Sequence, residues 1–116
     1  MKRENRVRKH SDFDRIIRAG AAIKGRCFSI FYEGSDVMQT HIGIAVGKKN
    51  GGAVTRVRLK RQVRAMVASL WKDWTIPSNL IIVIRTSYNE TMFDDGMKEL
   101  KESFGKVLAN IGKKEK

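Results

Sequence analysis

The segment GGAVTRVRLKRQVRAMV, residues 51–67, constrains this chain more than any other stretch. On a wheel of about 100° per residue, Leu59, Val63, Met66, Val67, Leu70 and Trp74 share one arc roughly 100° wide, the width of a buried stripe. A helix from Val54 to about Trp71 therefore needs an apolar surface to lie on. Its opposite arc carries Lys60, Arg64, Val57, Arg61 and Arg58. With Arg56, five cationic side chains fall within the nine positions 56–64, and the nearest acids are Asp36 behind and Asp73 ahead. A merely solvated face interleaves both signs; this one groups cations and points to a polyanion.

The rest of the chain supplies the surface that the stripe needs. In SDFDRIIRAG, Ser11 with Asp14 three residues later reads as a capping box. Phe13, Ile16 and Ile17 sit at helical spacing, and Gly20 offers a left-handed stop, so a short first helix is expected. RCFSIFYE, residues 26–33, alternates: Phe28, Ile30 and Tyr32 face one side, Cys27, Ser29 and Phe31 the other. THIGIAVG, residues 40–47, resumes the period of two with Ile42, Ile44 and Val46 opposite Gly43 and Ala45, and the simplest geometry pairs it antiparallel with the preceding strand. After the basic helix, Pro77 in TIPSN ends helical geometry, and LIIVIR, residues 80–85, shows no alternation, as expected of a strand covered on both faces. A helical crossover makes it parallel to the strand before the basic helix. A last helix opens at Thr91 with Asp94 as a second capping box and runs to about Ala109 on Phe93, Met97, Leu100, Phe104, Val107 and Leu108, despite Gly96 and Gly105.

A further strand is expected between Gly47 and Ala53. The order is then α-β-β-β-α-β-α, an α+β single-domain sandwich of helices on a mixed four-stranded sheet. At 116 residues the chain fits one domain, residues 1–116, with basic flexible tails expected at 1–10 and 111–116. A net charge of +12 beside 41% hydrophobic residues describes a folded protein whose self-repulsion a partner relieves. The lone Cys27 cannot form an internal disulfide, which fits a reducing compartment. No apolar run follows the basic start as a signal peptide requires, and nowhere do about eighteen apolar residues stand together. A soluble cytoplasmic protein, with no membrane partner, is expected.

Lys48 and Lys49 join the basic helix to form a patch matched to phosphates: Arg presents a planar fork, Lys a point charge. GKKNGGA sets mobile backbone and an amide-rich helix start beside the same face. Phe13 and Phe31 would line a groove in which single-stranded bases stack. Tyr32, Phe28, Trp71, Trp74, Phe93 and Phe104 belong to the core, whereas His10 and His41 belong to the surface or a strand edge. Cys27 reads as a small hydrophobe. One Cys and two scattered His make no metal set, and the acids stand mostly at helix starts or on the C-terminal helix, so neither a protein-held metal nor a protein catalytic residue is expected.

AVTRVRLKRQVR, residues 53–64, preceded by GIAVGKKNGG, resembles the signature of the bacterial ribonuclease P protein subunit, in which a basic helix carries an Arg-Asn-Arg core followed by Lys-Arg and a later Arg. The other landmarks agree in order along the chain: a basic start, Asp12-Phe13, a Gly closing the first helix, an aromatic strand beginning at Arg26, LIIVIR and an amphipathic C-terminal helix. The resemblance implies a fold like the second domain of ribosomal protein S5, with a left-handed βαβ crossover through the basic helix. It implies a protein that binds a large catalytic RNA, in a holoenzyme that cuts the 5′ leader from precursor tRNA with magnesium held mainly by RNA. Arg56, Arg58, Lys60, Arg61 and Arg64 would face that RNA, while Phe13, Ile17, Phe31, Arg6 and Lys9 would border the groove for the single-stranded leader. Two positions depart from the pattern. Val57 stands where the family usually has Asn and cannot make an amide's hydrogen bonds. Ile17 stands where an aromatic is common and keeps an apolar wall without stacking.

A ribosomal or general RNA-packing protein is the alternative, and it would bind precursor tRNA equally with and without a leader. DNA is not the expected partner, because strands, and no helix-turn-helix mate, precede the basic helix.

Overall fold

The run SNLIIVI has too much apolar surface for an edge, and the computed structural model places it inside the sheet. Residues 10–18, 21–34, 40–70 and 78–114 are described. Helix α1 (His10–Arg18) is followed by strands β1 (Ala22–Lys24), β2 (Phe28–Gly34) and β3 (His41–Val46). Helix α2 (Ala53–Leu70), strand β4 (Ser78–Ile84) and helix α3 (Phe93–Lys114) complete the expected order α-β-β-β-α-β-α. Strand order is β1-β2-β4-β3. Leu80, Ile81 and Ile82 are fully buried in β4, which lies antiparallel to β2 and, as the crossover through α2 required, parallel to β3.

Two expectations about the sheet are corrected. The strands β2 and β3 do not pair with each other, because β4 is inserted between them: the most apolar strand takes two hydrogen-bonded neighbours, and the strands with one half-buried face take its flanks. The fourth strand is not between Gly47 and Ala53, where Lys48–Asn50 form a 3-10 turn. It is Ala22–Lys24, three residues whose pattern is too short to show a period of two.

The register divides the sheet into two faces. Tyr32, Leu80 and Ile42 form one row, Ile30, Ile82 and Ile44 the next, and Phe28, Ile84 and Val46 the third. Against these rows α2 buries Leu59, Val63, Met66, Val67 and Leu70, and α3 buries Leu100, Phe104, Val107 and Ile111. The predicted helical stripes therefore meet the predicted strand face, each buried aliphatic side chain contributing about 1.5–3 kcal/mol. Helix α1 packs on the opposite face, against β2 and β4.

Local chemistry fixes the helix ends. Asn89, not Thr91, caps the last helix: its Oδ1 accepts the Thr91 N–H at 2.9 Å, a 3-10 turn Glu90–Met92 follows, and α3 begins at Phe93. That helix passes the expected end at Ala109 and continues through Lys114, with Ile111 buried, so residues 111–114 extend a helix where a tail was expected. Helix α1 starts at His10, which puts Ser11 inside it and not at its cap; Gly20, Trp71, Trp74 and residues 1–9 lie outside the described residues. Cys27 is buried beside the core that Phe28 enters, not on the side of Ser29 and Phe31.

Two contacts clamp α3 to the sheet. The Glu99 carboxylate accepts the N–H groups of Arg26 at 2.8 Å, Cys27 at 2.9 Å and Phe28 at 3.0 Å, tying α3 to the turn between β1 and β2. Gly96 lets the Tyr88 ring close against the helix, where a Cβ would lie 2.8 Å from that ring and 3.2 Å from Phe28. Tyr88 and Phe28 pack at a centroid distance of 5.1 Å.

Candidate nucleic-acid interface

The buried stripe of α2 determines where its cations point. Arg58, Arg61 and Arg64 are exposed on the far side, with Arg56 and Lys60 half-buried at its borders. Lys48 and Lys49 are exposed in the 3-10 turn that leads into the helix, so the seven basic residues expected to act together lie on one continuous stretch. Gly51, at φ 133°, makes the sharp entry from that turn into α2, a conformation an L side chain rarely adopts. Asn50 donates to the Arg85 carbonyl at 3.0 Å and holds the turn against the end of β4.

Among the described residues, carboxylates hold little of this array. Among the described residues one ion pair touches the array, Arg58 to Glu90 at 4.0 Å, with the two side chains 63% and 40% exposed. Such a pair is worth about 0–1 kcal/mol and yields readily to a phosphate. The Nε of Arg56 is buried without a hydrogen-bond partner among the described residues. Away from the array, Gln62 accepts from the Tyr88 hydroxyl and donates to the Glu90 carbonyl at 3.1 Å, anchoring the middle of α2. Burial, and then the neighbouring Cys27 and Glu90, push the Tyr88 phenol up to about 12, so it remains a neutral donor.

The second surface is the sheet face that carries α1. Phe31, Ile81 and Gly43 share a row there, and the tip of the Phe13 ring lies over Gly43, where a Cβ would meet it at 2.6 Å. Phe13 and Phe31 are thus brought to the same face, both half-buried, while Ile16 fills the contact beneath α1 and Ile17 is 37% exposed on its outer side. Arg6 and Lys9 lie outside the described residues.

Sequence reasoning missed two parts of this face. One is the next row, Lys24, Ser29, Val83 and Ala45, where the side chains of Ser29, Val83 and Ala45 are half-buried and form a smooth floor beside Phe31. The small residues of β3 were a visible signal, but without the strand order their neighbours were not. The other is a polar row at the opposite end of the face. Arg15 pairs with Glu33, Asn79 donates to Glu33 at 3.1 Å, and the Asn79 oxygen faces His41 Nδ1 at 3.2 Å. His41 Nδ1 must then carry a hydrogen. This row ties α1 to three strands, and His41 stands at the sheet edge, as expected.

Among the described residues no three His, Cys, Asp or Glu side chains converge to hold a metal ion, and no helix is long and apolar enough to cross a membrane.

A small α+β sandwich with a cationic helix on one side, touched by one exposed ion pair among the described residues, and half-buried aromatics on the sheet face beside α1 has the construction of an RNA-binding domain. The ribonuclease P family model matches residues 1–108, and the chain belongs to that family. It is 38% identical over 88 residues to the ribonuclease P protein component of Mycoplasma mycoides, spanning 75% of this chain and 81% of that protein. It is 31% identical over 116 residues to the component from Bacillus mycoides, spanning 98% and 96%. The solved Staphylococcus aureus RNase P protein superposes with a TM-score of 0.67 at 26% identity, covering 90% of this chain and 93% of that one. The Thermotoga maritima protein, at 21% identity and a TM-score of 0.68, covers 91% and 96% and shares the fold. Membership makes this an RNA-binding component of a tRNA-processing ribonucleoprotein, the partner being RNA.

Proposed function

We propose that the chain binds the catalytic RNA of ribonuclease P through α2 and holds the 5′ leader of precursor tRNA on the open sheet face, promoting endonucleolytic removal of the leader. The observation that carries this reading is the cation array on α2, which has no acid within the helix and a single exposed ion pair among the described residues. Lys48, Lys49, Arg56, Arg58, Lys60, Arg61 and Arg64 neutralise phosphates of the catalytic RNA.

Phe13 and Phe31 stack on leader bases, Ile17 forms an apolar wall, and Arg6 and Lys9 meet leader phosphates. Each base stacked on an aromatic contributes about 1–3 kcal/mol. Magnesium stays mainly with the RNA, which carries the chemistry, and the protein contributes no catalytic residue. The site of action is the cytoplasm.

The test combines the protein with a bacterial ribonuclease P RNA and precursor tRNA at low magnesium. Mature 5′ ends should appear faster with protein, and affinity should be higher for precursors that carry a leader. Absent stimulation with equal affinity for both precursors would instead identify an RNA-packing protein.

A further inference from the structure

The outer face of α2 is not uniformly charged. Val54 is 66% exposed and Val57 54% exposed, the two most exposed large hydrophobic side chains among the described residues. Three residues apart, they sit side by side on the helix surface. Taking Val57 as the centre, Arg64 and Arg61 lie within roughly 40° of it, and Lys60 and Arg58 flank it at roughly 60° and 100° on opposite sides. Ala65 and Ala68, both exposed, lie further along the same face, beyond Arg61 and Arg64. The two valines therefore form a short apolar ridge at the N-terminal turns of α2, bordered by Arg58 and Lys60 and followed by Arg61 and Arg64.

We infer that this ridge seats in the minor groove of a double-helical RNA segment, with the valines against ribose edges and the flanking cations on the two phosphate strands. The inference rests on the reading that α2 is the RNA-binding element and specifies which RNA surface it takes. Charge complementarity makes the occupant a nucleic acid, since no acid lies on α2 and Lys60, Arg61 and Arg64 pair with no carboxylate among the described residues. The chemistry of the ridge then selects among nucleic acids. Single strands are held by aromatic stacking, and α2 contains no aromatic residue; the half-buried Phe13 and Phe31 are on the sheet face. Valine has no donor or acceptor for base edges, so it reads shape and not sequence. In A-form RNA the major groove is too deep and narrow for side chains, whereas the minor groove is wide, shallow and lined by ribose. The two RNA surfaces of the molecule thus divide the work: the sheet face takes single strands and α2 takes a duplex.

The test uses the full chain and three fluorescent probes of equal length: an RNA duplex, a DNA duplex of the same sequence and a single-stranded RNA. The double variant Val54→Ala/Val57→Ala keeps the charge and favours helix, so it folds as the parent does. It should bind the RNA duplex roughly tenfold more weakly, from the methyl groups it removes, while the salt slope stays unchanged because no phosphate contact is lost. Affinity for the DNA duplex and the single strand should change by less than about twofold, since a helix enters B-DNA through its major groove and single strands use the other face. Unchanged RNA-duplex affinity, or an equal loss on all three probes, overturns the inference. Cleavage is scored separately: a protein that stimulates cleavage but shows no valine-dependent preference for the RNA duplex overturns this inference alone. One with the preference but no stimulation supports it and removes the ribonuclease P role instead.

Discussion

Replacing Gly43 by Ala should damage the leader surface more than the fold. A Cβ there would lie 2.6 Å from the tip of the Phe13 ring and 2.9 Å from Ile81 Cδ1, both inside van der Waals contact. Ile81 is fully buried in the central strand and has little room to move; Phe13 is half-buried at the margin of α1 and swings outward first. Overpacking costs about 1–3 kcal/mol in a closed core. Here the ring escapes toward solvent, and removing a strand glycine returns about 0.5–1 kcal/mol of backbone entropy. The net stability change should therefore stay within about 1 kcal/mol, or roughly 5 °C in Tm. Losing one base stack is worth about 1–3 kcal/mol, which lowers affinity for leader-bearing precursor tRNA about 5- to 150-fold. Thermal unfolding by circular dichroism gives the first quantity, and titration of precursor tRNA with and without leader gives the second. Leader affinity equal to the parent's, in a variant that folds, would refute the placement of Phe13 in the groove.

The two glycines of α3 should respond oppositely to alanine. Gly96→Ala overpacks Tyr88 and Phe28 and should lower stability by about 1–2 kcal/mol, whereas Gly105→Ala, with nothing within 4 Å of its added methyl, should raise it by about 0.5–1 kcal/mol, both read from urea midpoints. Glu99→Gln leaves the three N–H groups of residues 26–28 facing an amide and should cost about 2 kcal/mol in the same assay. Glu90→Gln, which removes an exposed partner of Arg58, should change stability by less than about 0.5 kcal/mol. Alkaline unfolding should report Tyr88: its phenol is pushed up from 10.0 to about 12, so its contribution is complete below pH 10 and is lost as pH rises from 10 toward 12. Tyr88→Phe should flatten that limb of the stability–pH curve.

The helices and the apolar strand faces were legible because burial imposes periods of 3.6 and 2 on sequence. The five buried residues of α2 are among those the wheel selected, and β4 lacks alternation because one face is covered by α2 and α3 while Ile81 on the other is buried under α1, leaving Asn79 and Val83 half-buried. The strand order was not legible. Pairing β2 with β3 satisfied every local rule, yet the fold inserts β4, whose need for two neighbours appears only when all strands compete for places. Strand β1 has three residues, below the length at which alternation has meaning. Charge grouping on α2 could be read directly, since helical geometry alone brings residues 56–64 together. The sheet-face floor of Ser29, Val83 and Ala45 joins residues 54 positions apart at its extremes and requires the register. Tyr88 gave no periodic signal because it stands between elements, and its place was revealed by the space at Gly96.

The salt dependence of affinity for ribonuclease P RNA probes the cationic face most directly. Arg58→Gln, Arg61→Gln and Arg64→Gln are combined in one variant, since all three side chains are exposed and their removal leaves the buried stripe intact. About seven phosphate contacts in the parent should give a slope of log affinity against log salt near −6, and the variant's slope should be shallower by about 3. A triple variant with the parental slope would show that the RNA is held elsewhere on the molecule and contradict the role given to α2.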